Sequence, residues 1–221
     1  MSRLSSFADR IDRELVLQEA MYGFVMSLTF ITAEQLGLVD YNTRTKLILA
    51  ILGMDFVWGA IDMYIYYRMD MMGMFSQMSF LRRLYLAKDK ESMRPAIMEQ
   101  LDGTIFNYVD EGTRDNVAKL LMESTFETKE AVREDRKRYF FNAVTCFVVT
   151  LGTVIPAALC LTFISEDTSA YFWTSFSSSI ALFFVGYWMS PYESNLMKSA
   201  AGIVTAVVCL FLTVFAAYLG G

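Results

Sequence analysis

Leu47–Tyr67, LILAILGMDFVWGAIDMYIYY, is a 21-residue stretch long and apolar enough to cross a bilayer, and it carries two aspartates, Asp55 and Asp62. On an insertion scale an Asp near a helix centre costs roughly 2.5 to 3.5 kcal/mol, while each Leu, Ile, Val or Phe returns about 0.3 to 0.6. The nine such residues in this stretch barely offset the two acids. Seven residues apart on a helix, the carboxyls lie on one face about 10 Å apart along the axis. That face must meet a bundle interior, a cavity or an ion path rather than lipid. A structural polar pair bonded to neighbouring helices is the plainer alternative.

Outward from this segment the chain keeps the same character. Of 221 residues, 55% are hydrophobic and 15% aromatic, too many for a soluble domain of this size. Four more segments qualify as spans: Leu15 to Val39, Tyr139 to Ile164, Ala170 to Met189 and Ser199 to Leu219. The last three contain no charge and read as a packing scaffold for a polar pathway on the first two. The expected fold is all-α: a polytopic membrane protein with five transmembrane helices and a helical cytoplasmic insert between helices two and three. Its parts are 1–68, with spans one and two, the insert 69–138, and 139–221 with spans three to five.

Basic residues set the expected orientation. With the N-terminus inside, only Arg44 and Lys46 of the 19 Lys and Arg residues lie outside, a ratio of 17 to 2. The N-terminus is then cytoplasmic and the C-terminus extracytoplasmic. The first 14 residues are charged rather than apolar, so no cleavable signal is expected. Leu4, Phe7, Ile11 and Leu15 at helical spacing imply an amphipathic helix there. The cysteines Cys146, Cys160 and Cys209 all fall in spans and read as small packing residues rather than disulfide partners. Trp173 and Trp188 read as interface anchors at the ends of the fourth span, and the Ser177–Ser179 run as helix-to-helix hydrogen bonding.

The insert carries 12 basic and 13 acidic residues, a balance that argues against a nucleic-acid surface. Helices are expected at Ser79 to Lys88, Pro95 to Asp110 and Thr113 to Arg138, with breaks at Gly103 and Gly112. On the last helix Glu123, Glu127, Glu130 and Glu134 would align along one face. Such a stripe can bind a divalent cation through hard oxygens. It can equally be a solvated face laced with ion pairs to Lys129, Arg133, Lys137 and Arg138.

Six of the 15 methionines crowd between Met63 and Met78. Met69 continues the Asp55, Asp62 face by seven residues, and Met26 lies seven beyond Glu19 on the first span. Acids and thioethers together would line a mixed oxygen and sulfur path, although methionine also fills loose helix packing. The chain has no histidine, which removes the commonest general base and zinc ligand, and it lacks Gly-rich phosphate loops. No enzyme activity is expected. A metal site built from carboxylates and thioethers suits ferrous or manganous ions.

The layout resembles the vacuolar iron transporter family and its prokaryotic relatives. Leu15 to Phe30 (LVLQEAMYGFVMSLTF) is similar to its first-span motif, and Trp58 to Tyr67 (WGAIDMYIYY) to its second-span pattern of glycine, acid and aromatic. Thr150 to Phe163 (TLGTVIPAALCLTF) is similar to its third-span Gly and Pro motif. The match is nearer still to a divergent prokaryotic subgroup with a Trp-Gly-x-x-Asp second span. Where the family has an aspartate before the first-span glycine, this chain has Tyr22 before Gly23, so Glu19, one turn earlier, would have to supply that acid. The resemblance implies a homodimer in the lipid bilayer that moves Fe2+ or Mn2+ out of the cytoplasm in exchange for protons. It implies no permanently bound cofactor. Asp62 would be the second-span acid, and the four glutamates would collect metal. The alternative function class is a non-transporting membrane scaffold or sensor whose insert binds a partner.

Overall fold

The computed structural model describes residues 12–102, 104–124 and 128–220. Among them are eight α-helices and no strand: α1 (Arg13–Gln35), α2 (Arg44–Leu86), α3 (Arg94–Leu101), α4 (Glu111–Glu123), α5 (Thr128–Gly152), α6 (Val154–Phe163), α7 (Asp167–Met189) and α8 (Asn195–Leu219). Short 3-10 turns lie at Glu91–Met93 and Ile105–Tyr108. Arg13–Gln35, Arg44–Leu86, Lys129–Phe163 and Asn195–Leu219 are long and apolar enough to cross a membrane. α7 has the same 23-residue length as α1 but is diluted by five serines and two threonines. The chain is thus a helical protein with the composition of a multi-pass membrane protein.

Helix ends follow local chemistry. Asp12 caps α1 by accepting from the amides of Glu14 and Leu15. At the other end Gly37 takes a positive φ of 67°, its amide bonds the Glu34 carbonyl, and the Leu38 amide bonds that of Ala33. This double closure needs a left-handed residue, which glycine supplies without steric cost. α1 therefore stops short of the expected Val39, and a brief link turns the chain back into α2.

α2 runs unbroken through 43 residues, so the expected Ser79 to Lys88 helix is its continuation. No proline interrupts Tyr67 to Leu86, and the single glycine there, Gly73, is tolerated within the helix. The third span is broken instead. α5 ends at Gly152 and α6 begins at Val154, because Pro156 has no N–H for the Gly152 carbonyl and its ring crowds that carbonyl.

Two compact units divide the chain: one of residues 12–67 and 138–220, the other Arg68–Lys137. In the first, Arg44 donates to Asp167 (2.6 Å) and to the carbonyls of Leu161, Ile164 and Ser165, closing the α6 C-terminus. Arg13, at the opposite end of the α1–α2 hairpin, donates to the Trp188 carbonyl (3.3 Å). α7 therefore extends from the Arg44 end of this unit to its Arg13 end. α8 packs antiparallel on α7 through two glycines: a Cβ on Gly186 would come within 2.4 Å of Thr205 Oγ1, and one on Gly202 within 2.6 Å of the Phe183 carbonyl oxygen. Ile31, Leu47, Ile51, Val154, Ala157, Leu161 and Ala170 form an apolar plug at the Arg44 end. Within the serine run Ser177 and Ser179 bond their own helix, at the Thr174 and Ser175 carbonyls, while buried Ser178 Oγ has no partner among the described residues. Serine hydroxyls reach the preceding turn at little cost. All three cysteines are free.

The second unit has its own core of Leu84, Ile97, Leu101, Ala118 and Met122. Ion pairs of Arg94 with Asp115 and of Arg114 with Asp102 flank it. Here the structure corrects three expectations. The α3 helix ends at Leu101 rather than Asp110, and a 3-10 turn follows. Gly112 sits in the first turn of α4, whose N-cap is Asp110, with both the amide and the hydroxyl of Thr113 donating to that carboxylate. The expected Thr113 to Arg138 helix is two helices. α4 closes at Glu123, where Ser124 turns to extended backbone, its hydroxyl bonds the Leu120 carbonyl, and Lys90 Nζ bonds that of Met122 (2.7 Å). With these C-terminal acceptors satisfied, the helix can end there. The expected N-terminal amphipathic helix, Gly103 and Glu127 lie outside the described residues.

Candidate functional site: a buried acid pair bridged by threonines

α1, α2 and the α5–α6 segment each present a buried stripe. On α1 it is Glu19, Gly23, Ser27 and Ile31, four residues apart, with Leu28, Thr29 and Ala33 buried beside it. On α2 it is Leu47, Ile51, Asp55 and Gly59, with half-buried Asp62 and Tyr66 continuing it, while Leu49, Phe56, Trp58 and Ile65 on the other faces are exposed. On α5 and α6 it is Cys146, Thr150, Thr153, Val154 and Ala157. An apolar exterior over a polar interior inverts the soluble pattern and suits helices that face lipid.

Glu19 is 0% exposed. Its Oε1 accepts from the Tyr66 phenol (2.8 Å) and its Oε2 from the Thr150 hydroxyl (2.9 Å). Asp55, also 0% exposed, accepts at Oδ2 from the Thr153 hydroxyl (3.1 Å), and its Oδ1 has no partner among the described residues. Ser27 Oγ is likewise buried without a partner. The antiparallel register, with Glu19 opposite Tyr66 and Ile31 clustered with Ile51, sets Ser27 and Asp55 at the same level. Neither acid has an ion-pair partner among the described residues. Asp62 stands one turn before Tyr66, within electrostatic reach of Glu19.

Two glycines make the approach possible. A Cβ on Gly23 would fall 2.3 Å from Thr153 Oγ1, and one on Gly59 would fall 3.3 Å from Thr150 Cβ. The helix backbones thus close directly on the two threonines. Those threonines flank Gly152, where the third span breaks, so a single local interruption serves both acids.

Burying two carboxyls without a cation costs several kcal/mol per ion if both are charged. Neutral hydroxyl donors recover only part of that, so the pair must hold protons or a positive ion for the site to be comfortable. The available donors are carboxylate and hydroxyl oxygens, a hard set. Among the described residues no three Asp, Glu or Cys side chains converge as a metal cage.

The other residues picked from the sequence are placed as follows. Asp55 and Glu19 meet through the Thr150–Thr153 turn, and Asp62 lies near Glu19. Met26 is half-buried on α1, and Met69 is 63% exposed on α2 beyond Tyr67. Glu123 ends α4, whereas Glu130 and Glu134 lie on α5, so these three do not share one helix face. Glu134 pairs with Lys137 (2.7 Å). Sequence reasoning missed Thr150, Thr153 and Tyr66. Tyr66 was in view four residues beyond Asp62 on the same face, and the threonines lay inside the quoted Gly and Pro motif.

No protein family model, curated protein or solved structure matches the chain.

Proposed function

We propose that the chain is a membrane transporter of divalent transition-metal ions, Fe2+ or Mn2+, that exchanges them for protons. One observation carries this reading: two fully buried acids on two membrane-length helices converge on adjacent hydroxyls of a broken third, and one carboxylate oxygen is left without a partner. Intramembrane acids near a broken helix are a recurrent way to build ion pathways. The apolar plug beyond Asp55 supports a pathway closed at the Arg44 end.

The finer topology belongs to the same proposal. α7 is the fifth crossing, since its ends bond the Arg44 and Arg13 ends of the unit. The basic residues favour a cytoplasmic N-terminus, a cytoplasmic insert and an extracytoplasmic C-terminus. Membership of the vacuolar iron transporter family, the homodimer and metal collection by Glu123, Glu127, Glu130 and Glu134 rest on the motif resemblance alone.

The test is Mn2+ flux in proteoliposomes under an imposed pH gradient, with internal pH followed in parallel. Wild type should drive uphill Mn2+ movement with opposing proton movement, and Asp55→Asn and Glu19→Gln should each fall to the level of protein-free vesicles while remaining folded. Absence of Mn2+ and Fe2+ flux in wild type under either gradient would remove the reading and favour the scaffold or sensor.

A further inference from the structure

We infer that α1 and α7 bind water between Ser27 and Ser178, so that the interior face of the serine-rich helix is hydrated. Both hydroxyls are buried, at most 1% exposed, and neither has a partner among the described residues. A hydroxyl shut away from solvent without a hydrogen bond is costly, and such groups are met by a protein partner or by an ordered water.

For Ser178 the local partners are used up. The acceptors within its own helix are the carbonyls three and four residues back, those of Ser175 and Thr174. The Thr174 carbonyl takes the Ser178 amide by helix pairing and the Ser177 hydroxyl at 3.0 Å, which fills its two lone pairs. The Ser175 carbonyl is filled in the same way by the amide and the hydroxyl of Ser179, the latter at 2.6 Å. Ser177 and Ser179 thus leave the serine between them with nothing to donate to on α7.

α1 and α7 run antiparallel and in step. Arg13 bonds the Trp188 carbonyl at one end, Ile31 and Ala170 share an apolar cluster at the other, and the interval is eighteen residues on each helix. Ala170, Thr174, Ser178 and Leu182 form one buried row on α7, and Leu182 shares a cluster with Leu28 of α1, so the row faces α1. In this register Ser27 stands level with Thr174, and Ser178 lies one turn away, an axial offset of about 6 Å. Helix side chains lean toward their own N-terminus, so across an antiparallel pair these two lean toward each other. They do not bond directly, and one water, whose two bonds together span about 5.6 Å, fits between them.

Thr174 supplies a third contact. Its hydrogen goes to the Ala170 carbonyl at 2.9 Å, which leaves its oxygen to accept from the water. Three polar partners are what a buried water typically has. The ligand is neutral, because α7 carries no charged residue between Asp167 and Glu193 and three hydroxyls offer no negative charge to a cation. The site needs neither acid nor metal, so it holds whether or not the chain transports ions.

Water-edited solid-state NMR on the full-length protein in lipid bilayers tests it. Magnetisation should pass from water to Ser27 and Ser178 faster than to the equally buried Leu182 and Thr213. Ser178→Ala should slow the transfer at Ser27, Ser27→Ala should slow it at Ser178, and Thr213→Val should alter neither. Melting temperature gives an independent sign. Each alanine variant should melt below wild type, and the double variant close to either single one, since both hydroxyls hold the same water. A dry hydroxyl without a partner would be relieved by alanine, and the variant would melt higher. Slow transfer at both serines in wild type, the result expected of a direct bond between them, overturns the inference, and so does higher melting of the alanine variants.

Discussion

Two ways of packing membrane-length helices coexist in one unit. α7 and α8 meet through Gly186 and Gly202, without charge, and the buried Thr174 and Thr213 hydroxyls bond back within their own helices, to the Ala170 and Cys209 carbonyls. α1, α2 and the third span meet through hydroxyls that reach across to carboxyls on other helices. The first contact uses shape and involves no charged group, so it does not respond to protonation. The second depends on where protons are, so its geometry can respond to them. Rigid and responsive halves are thus separated by hydrogen-bond direction rather than by hydrophobicity.

The sharpest way to break the rigid half is Gly202→Ala. Its Cβ would meet the Phe183 backbone oxygen, which cannot rotate away, at 2.6 Å and the Phe183 ring at 2.9 Å. A loss of about 3 kcal/mol is expected, read as a lower melting temperature of the purified protein. Gly23→Ala makes a tighter contact, 2.3 Å from Thr153 Oγ1 and 3.0 Å from its Cβ, against a buried β-branched side chain that bonds Asp55, so it should damage flux far more than Gly202→Ala does. Equal losses from both variants would erase the distinction.

A smaller pair compares the same substitution on the two sides. Thr150→Val removes a donor from buried Glu19 and should cost about 1 kcal/mol. Thr213→Val removes only a bond to its own helix and should stay within about 0.5 kcal/mol. Chemical denaturation in detergent measures both, and a costly Thr213→Val would contradict the hydrogen-bond map.

The smallest effect lies in the second unit. The hydroxyl and amide of Thr113 hold the Asp110 carboxyl below its ordinary range. A depressed acid stabilises the fold above its unfolded pKa, and the contribution is lost as pH falls through the folded value. Hydrogen exchange at α4 should therefore quicken below about pH 4 in wild type and lose that step in Asp110→Asn. An unchanged step would remove Asp110 as its source.

The acids were legible because a charge within an apolar run cannot hide; Asp55 on its buried face follows from insertion cost alone. The break near Gly152 was not expected, since Tyr139 to Ile164 read as one span, although its cause, Pro156, is local in the sequence. Thr150 and Thr153 were not legible as partners, because most buried hydroxyls here, Thr174 and Thr213 among them, serve their own helix. Only the register of α1 and α2 reveals which threonines reach across. The end of α4 was hidden for the same reason: Lys90, 32 residues before Met122, supplies a cap that no window of sequence contains.

α6 is a rod of ten residues, about 15 Å long, moored at one end by Thr153 and at the other by Arg44. Neither mooring is a backbone bond of a neighbouring helix. What holds α6 in place is therefore side-chain bonding at its two ends together with the apolar packing of Val154, Ala157 and Leu161 between them, so its position is set without any ladder shared with a neighbouring helix.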